Sequence, residues 1–192
     1  MNIDIEYTVK IHSYWHCGSG LAAGADVDAL VIKDQEGMPF IPGKTMKGLI
    51  REAVEDYLQY SHESNETIIA VEKAFGKPAS SSSLEVKGEA FFTNAEIKDD
   101  LRNDIINAEL QKFLFTNIAS TAIDKNGIAL ENSLRRIEVT VPCELTGKII
   151  SIDESLKSVI DKSLDLIKRL GVNRNRGLGR CTISIKGKEE NK

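Results

Sequence analysis

The chain has 192 residues, with 25 lysines and arginines against 29 acids and a net charge of −4. That length fits one domain, or one domain with a sizeable insertion, and an apolar content of 41% with 28% charged residues is ordinary for a soluble globular chain. The negative balance excludes a bulk cationic nucleic-acid binder, so any polynucleotide contact must come from a local patch, and three scattered cysteines with no CxxC pair support neither a zinc site nor a disulfide framework.

Ile3, Ile5, Tyr7, Val9 and Ile11 alternate with polar residues, the pattern of a half-buried strand. It begins at the N-terminus, where a signal peptide would stand, and no apolar run reaches the length of a membrane span, so the expected location is a reducing cytoplasm. A glycine-, alanine- and aromatic-rich loop, Ser13–Ala25, follows, then a short apolar piece, Ala29–Ile32, and a turn at Asp34–Gly37. Pro42-Gly43 introduces a helix expected over Thr45–Tyr60, with Met46, Leu49, Ile50, Ala53, Val54, Tyr57 and Leu58 at helical spacing. Lys44, Lys47 and Arg51 crowd its first turns, which opposes the helix dipole unless an anion binds there.

Thr67–Phe75 reads as a short helix ended by Gly76, Pro78–Ser83 as a serine-rich linker, and Leu84–Phe92 as one strand with Leu84, Val86 and Ala90 or Phe91 facing inward. Lys98–Phe115 is mixed, and Ser120–Leu134 lacks a period but contains Asp124-Lys125-Asn126-Gly127, a hairpin-type turn signal. Ile137, Val139, Val141, Cys143 and Leu145 alternate in a strand that extends toward Ile152, with Pro142 marking an edge or bulge. Asp153 or Ser155 caps a helix with an inner stripe from Leu156 to Leu170, ended by Gly171, and Cys181, Ile183 and Ile185 form the last strand before a charged tail, Lys186–Lys192. Strand, helix, strand, long insertion, strand, helix, strand is the βαββαβ order, so the expected fold is α+β: a ferredoxin-like, RRM-like antiparallel sheet covered by two helices on one face.

Two acid-free basic runs stand out, Met38–Arg51 and Gly171–Arg180. The second packs three arginines and three glycines into ten residues. Glycines let backbone N–H groups approach a ligand and arginine forks match phosphate, so this loop is built to hold something anionic, and a polynucleotide backbone suits it better than a single phosphate.

Four segments resemble the RAMP superfamily of CRISPR effector proteins, in particular the repeated backbone subunit of type III complexes. Asp28-Ala29-Leu30-Val31-Ile32-Lys33-Asp34 is similar to the family's Asp-x-Pro-Val-x-(Lys/Arg)-Asp loop, with Leu30 in place of the usual proline. Pro39–Arg51 is similar to its "PyIPGSSLKGalR", with Lys44-Thr45 where small serines are common. Thr121–Ala129, followed by Leu134 and Glu138, is similar to "T-x-IDR-x-TG-x-A", with Lys125 in place of arginine, and the glycine–arginine loop at Gly171–Gly179 is the fourth.

The resemblance implies one RAMP domain over residues 1–192: a palm at about 1–60, 84–92 and 136–187, a helical or lid insertion at about 61–83, and a thumb-like insertion at about 93–135. It implies several copies along a CRISPR RNA, contacts with a single-stranded target RNA and other effector subunits, and no membrane. The guide-binding residues it marks are Lys44, Thr45, Lys47, Arg51, Arg174, Asn175 and Arg176; Arg135 and Arg136 adjoin the thumb as candidate phosphate contacts. In cleaving members an aspartate after the first strand cuts target RNA with a divalent metal, magnesium or manganese. Position by position that aspartate is Asp28, with Asp26 as the alternative. Asp26 and Asp28 are expected to face apart, and with no third carboxylate nearby a metal would be held weakly, with help from the RNA's own phosphate. The alternatives are a non-catalytic RNA-binding scaffold of the same assembly and, more distantly, a guide-processing ribonuclease using His12 or His16. Trp15 reads as core, and His12 and His62 as surface residues.

Overall fold

The computed structural model describes residues 1–22, 26–77 and 86–186. The linker at Pro78–Ser83, the start of the strand expected from Leu84, the end of the loop at Ala25 and the tail beyond Lys186 lie outside the described residues. The elements are β1 (Asn2–Ile11), α1 (Gly43–Tyr60), α2 (Asn65–Phe75), β2 (Gly76–Lys77), β3 (Val86–Lys87), β4 (Phe91–Phe92), α3 (Asp99–Asn107), β5 (Phe115–Ser120), β6 (Arg135–Thr140), β7 (Glu144–Asp153), α4 (Lys157–Leu164) and β8 (Cys181–Ile185).

The main sheet has the order β4-β7-β1-β8, all pairings antiparallel. Its chain order with α1 and α4 is strand, helix, strand, strand, helix, strand, the mixed α+β arrangement expected from the sequence. β1 is central: Tyr7 lies opposite Gly147 of β7 and Ile185 of β8. Ile5, Tyr7, Val9 and Ile11, with Leu145, Ile149 and Ile183, form one buried face. Met46, Ile50, Ala53 and Val54 of α1 and Val159, Ile160 and Leu164 of α4 belong to the same core. Each such side chain gains about 1.5–3 kcal/mol on leaving water. The opposite face, with Asp4, Lys10, Lys148 and Thr182, is polar and exposed.

Four expectations change. The strand expected over Leu84–Phe92 is two short pieces in different sheets, because the N–H groups of Glu89 and Ala90 donate to Lys73 and Ala74 and divert the chain onto the end of α2. Of the two alternatives Ala90 faces the core, together with Phe92, and Phe91 is 64% exposed. The strand expected from Ile137 toward Ile152 is also two strands: the chain leaves β6 at Val141–Cys143, around Pro142, and enters the main sheet as β7. Apolar residues alternate in the sequence across this break, although β6 itself buries the adjacent Val139 and Thr140, so period alone hides it. The helix expected to reach Leu170 stops at Leu164; Ile167 and Leu170 stay buried as irregular chain, and Gly171 caps no helix. Finally, β5 has no counterpart among the expected strands: Phe115–Ser120 pairs with β6 from Phe115↔Thr140 to Ser120↔Arg135 in a hairpin separate from the main sheet.

Candidate nucleic-acid interface

The loop Gly171–Arg180 docks on the segment that leaves β1. The N–H of His12 donates to the carbonyl of Arg180 at 2.7 Å, that of Gly179 to Tyr14 at 2.7 Å, and that of Val172 to His16 at 3.0 Å. Gly171 and Gly179 have φ of +79° and +66°, and a methyl group would overlap the carbonyl of His16 at the first and of Leu170 at the second. Two glycines are therefore required where the loop enters and leaves this contact. Between them Arg174, Asn175 and Arg176 are exposed in a one-turn 3-10 segment, and Arg169 donates to the carbonyl of Arg174 at 3.0 Å. None of Arg174, Arg176 and Arg180 makes an ion pair among the described residues.

The packing of α1 beside α4 puts this loop against α1. Arg174 and Arg169 line a cleft of about 120 Å³ with Leu49, Glu52, Ala53 and Asp56. Lys47 and Arg51 lie about 140° around the helix from Glu52 and Asp56, at 3.6 residues per turn, so the two basic runs straddle α1 and do not merge. Lys44 and Thr45 are exposed in its first turn, which holds no acid. Partial burial and then the neighbouring Arg51 push the Lys47 ammonium below its usual range, while Arg51 pairs with Glu55 at 2.7 Å.

The β5–β6 hairpin joins the rest of the chain at its root. The segment carrying Asp28 runs alongside β6: Asp28 N–H donates to Arg136 carbonyl at 2.8 Å, and Glu138 N–H to Ala29 carbonyl at 3.0 Å. Glu138 accepts from the N–H of Val31 at 3.0 Å and from Lys33 Nζ at 2.7 Å, and that ammonium also sits 4.0 Å from the centre of the Phe115 ring. His16, buried, holds the Glu138 carbonyl through Nδ1 at 2.6 Å. Trp15 is fully buried and donates to Val141 at 3.1 Å, so it is core as expected; His12 and His62 are exposed. The second acid of the Asp28–Asp34 motif is structural: Asp34 accepts the N–H groups of Glu36 and Met38 at 2.9 Å and pairs with Arg102 at 2.6 Å.

Asp28 itself is 44% exposed. One carboxylate oxygen accepts the Arg136 N–H at 2.7 Å and the other lies 3.4 Å from the Arg135 guanidinium. The Arg136 N–H first, and the Arg135 charge with it, hold this carboxyl below the usual carboxylate range. Val27 is buried between two exposed aspartates, so Asp26 and Asp28 both turn outward. The expectation that they face apart fails because residues two apart on extended chain share a side. No group of three metal-ligating side chains forms among the described residues. At the far end of the hairpin the Asp124 carboxylate accepts the N–H groups of Asn126 and Ile128, closing the turn read in the sequence and lowering its pKa. Around that turn Ile123, Ile128, Leu130 and Leu134 are 50–65% exposed.

A family model of the RAMP superfamily matches residues 8–182. The chain belongs to the RAMP superfamily. Among solved structures, this RAMP chain is similar in fold to a chain of the cryo-EM structure of the Type III-B Cmr-beta bound to cognate target RNA, with a TM-score of 0.69 and 12% identity over 95% of this chain and 97% of that one. It is likewise similar to a chain of the Type III-B Cmr-beta structure in the apo state, with a TM-score of 0.66 and 11% identity over 96% and 98%. No curated protein matches it. No helix among the described residues is long and apolar enough to cross a membrane.

Proposed function

We propose that this chain is an RNA-binding backbone subunit of a type III CRISPR effector complex, present in several copies along a guide RNA and meeting a complementary single-stranded target. The observation that carries this is the glycine-clamped loop, which holds Arg174, Asn175 and Arg176 outward with no acid paired to the arginines among the described residues. Family membership and full-length similarity in fold to chains of Cmr-beta structures, one bound to cognate target RNA, support it. On this reading the exposed Lys44 and Thr45, with Lys47 and Arg51, provide a second guide contact at the start of α1. Arg135 and Arg136 at the hairpin root meet phosphates, and the apolar tip around Ile123 and Ile128 wedges between paired strands.

The finer reading is that the subunit cuts target RNA at Asp28. The fitting feature is an exposed carboxylate kept ionised, with one oxygen on the Arg136 N–H and the other held only at 3.4 Å by Arg135; a magnesium or manganese ion would displace that guanidinium to take this single protein oxygen and draw its other partners from RNA. Such an ion, when bound, stabilises charge on the phosphate under attack. What the chain itself does is fix the carboxylate through the Arg136 N–H and keep Arg135 beside it. The scaffold reading has its own support: the same two contacts give Asp28 a full structural role.

The assembly purified with its guide should cut complementary RNA in magnesium or manganese. Asp28→Asn, which keeps an acceptor for Arg136, should preserve RNA binding and abolish cutting. Persistent cutting moves the assignment to Asp26→Ala, and a wild-type assembly that binds and never cuts establishes the scaffold.

A further inference from the structure

The outward face of the main sheet carries a basic corner in which Arg180, the last residue of the second basic run, meets three residues that lie outside both runs. Alternation along β1 buries Val9 and Ile11 and turns Lys10 outward, with His12 one step beyond the strand. Lys10 stands opposite Thr182 of β8, and His12 Nε2 lies 2.9 Å from the Thr182 hydroxyl. Arg180 precedes the buried Cys181 and is exposed on the same side, and it bridges antiparallel to the exposed Arg169. Arg169, Arg180 and His12 therefore stand in one row across three adjacent backbone segments, which pack about 4.8 Å apart, and Lys10 lies one side-chain step along β1 from His12.

The acids on this face are engaged elsewhere. Glu144, opposite Lys10 on β7, is held by Lys98 at 2.7 Å, and Glu6, lower on β1, by Lys186 at 2.9 Å. Lys10, Arg169 and Arg180 make no ion pair among the described residues. Like charges set side by side across strands destabilise a sheet, so an uncompensated row points to an anion that binds it. Two neighbours favour a polynucleotide over an acidic protein. Tyr14, 43% exposed, adjoins the row and offers a ring for a base, the aromatic complement that single-strand binding surfaces use. Arg169 also holds the carbonyl of Arg174, so the row is continuous with the glycine–arginine loop.

We propose that Lys10, His12, Arg169 and Arg180 form a second single-stranded RNA contact on the outward sheet face, continuing the track that leaves the Gly171–Arg180 loop. The ligand class rests on the function proposed above; the place rests on sheet register alone. The test is binding of the full chain to a labelled, mixed-sequence single-stranded RNA oligonucleotide, titrated with salt. The Lys10→Ala/Arg180→Ala pair should weaken binding roughly tenfold and lower the salt slope by about 1.4, at about 0.7 per phosphate released from a single strand. Among the described residues neither side chain holds a hydrogen bond, so circular dichroism should be unchanged. The pair Lys157→Ala/Lys162→Ala on α4 serves as the charge-matched control and should bind as wild type.

If Lys10→Ala/Arg180→Ala binds normally while Arg174→Ala/Arg176→Ala loses affinity, this proposal falls and the loop's role stands. If the wild-type chain binds no RNA, both fall. If polyglutamate competes as well as RNA at equal charge, the surface is for an acidic protein and the proposal is overturned.

Discussion

Asp28 shows how a residue marked by a motif acquires its chemistry from partners that spacing cannot reveal. Arg135 and Arg136 lie more than a hundred positions away, and only the parallel run of the Asp28 segment beside β6 brings them within 3.4 Å and 2.7 Å. Both contacts favour the ionised form, so its folded pKa lies below the unfolded value of about 3.9. A depressed carboxyl contributes stability above the unfolded pKa and loses it as pH falls through the folded one. Asp28→Asn should therefore lower the melting temperature at pH about 7, and the difference from wild type should vanish in acid below the folded pKa. An equal difference at both pH values would show that charge at Asp28 plays no part in holding the hairpin root. The meeting of Lys10 with Arg180 is illegible in the sequence for a similar reason: Lys10 is an ordinary outward residue of β1, Arg180 closes a basic run just before β8, and their juxtaposition exists only in the β1–β8 register.

At the scale of elements, strongly periodic segments were legible and composite ones were not. β1, α1 and β8 fall where apolar spacing puts them, because each buries one continuous stripe. β5 was missed because Phe115–Ser120 buries no residue fully and carries no stripe to read. Its hairpin is held at the root by polar groups, chiefly Glu138, whose side chain is 13% exposed. Glu138→Ala leaves the Val31 N–H and the Lys33 ammonium without their acceptor, and should cost about 1–3 kcal/mol in urea unfolding, the range for a stranded buried polar group. Glu138→Gln keeps an acceptor and should cost less. If both are neutral, the hairpin root is held by its backbone ladder alone.

Across the whole molecule the order of elements was readable and their partition into sheets was not. Continuous alternation through Pro142 concealed a change of sheet, and a single apolar stripe from Leu156 to Leu170 concealed the end of a helix. Cys181 packs in the apolar interior, and Cys143, in the connection between β6 and β7, is half-buried against it. Burial pushes both thiols up to about 11 and also raises Cys17. At pH 8 about one molecule in a thousand would carry thiolate at either of the first two sites, and thiolate is the reactive form. A thiol-reactive dye at pH 8 should label the native chain slowly at all three cysteines and label all three promptly after denaturation. Rapid native labelling would show that the core opens at equilibrium.

Among the described residues the antiparallel hairpin formed by Phe115–Ser120 and Arg135–Thr140 is laced to the rest of the chain along its paired arms, while the apolar end beyond them, around Ile123 and Ile128, is exposed. Its length is therefore an independent dimension of the protein. One residue inserted into each arm would carry Ile123 and Ile128 outward by about 3.3 Å without moving a single pairing in the four-stranded sheet. Homologues are free to use such insertions as an adjustable ruler, setting how far the wedge penetrates while the grip on the guide stays constant.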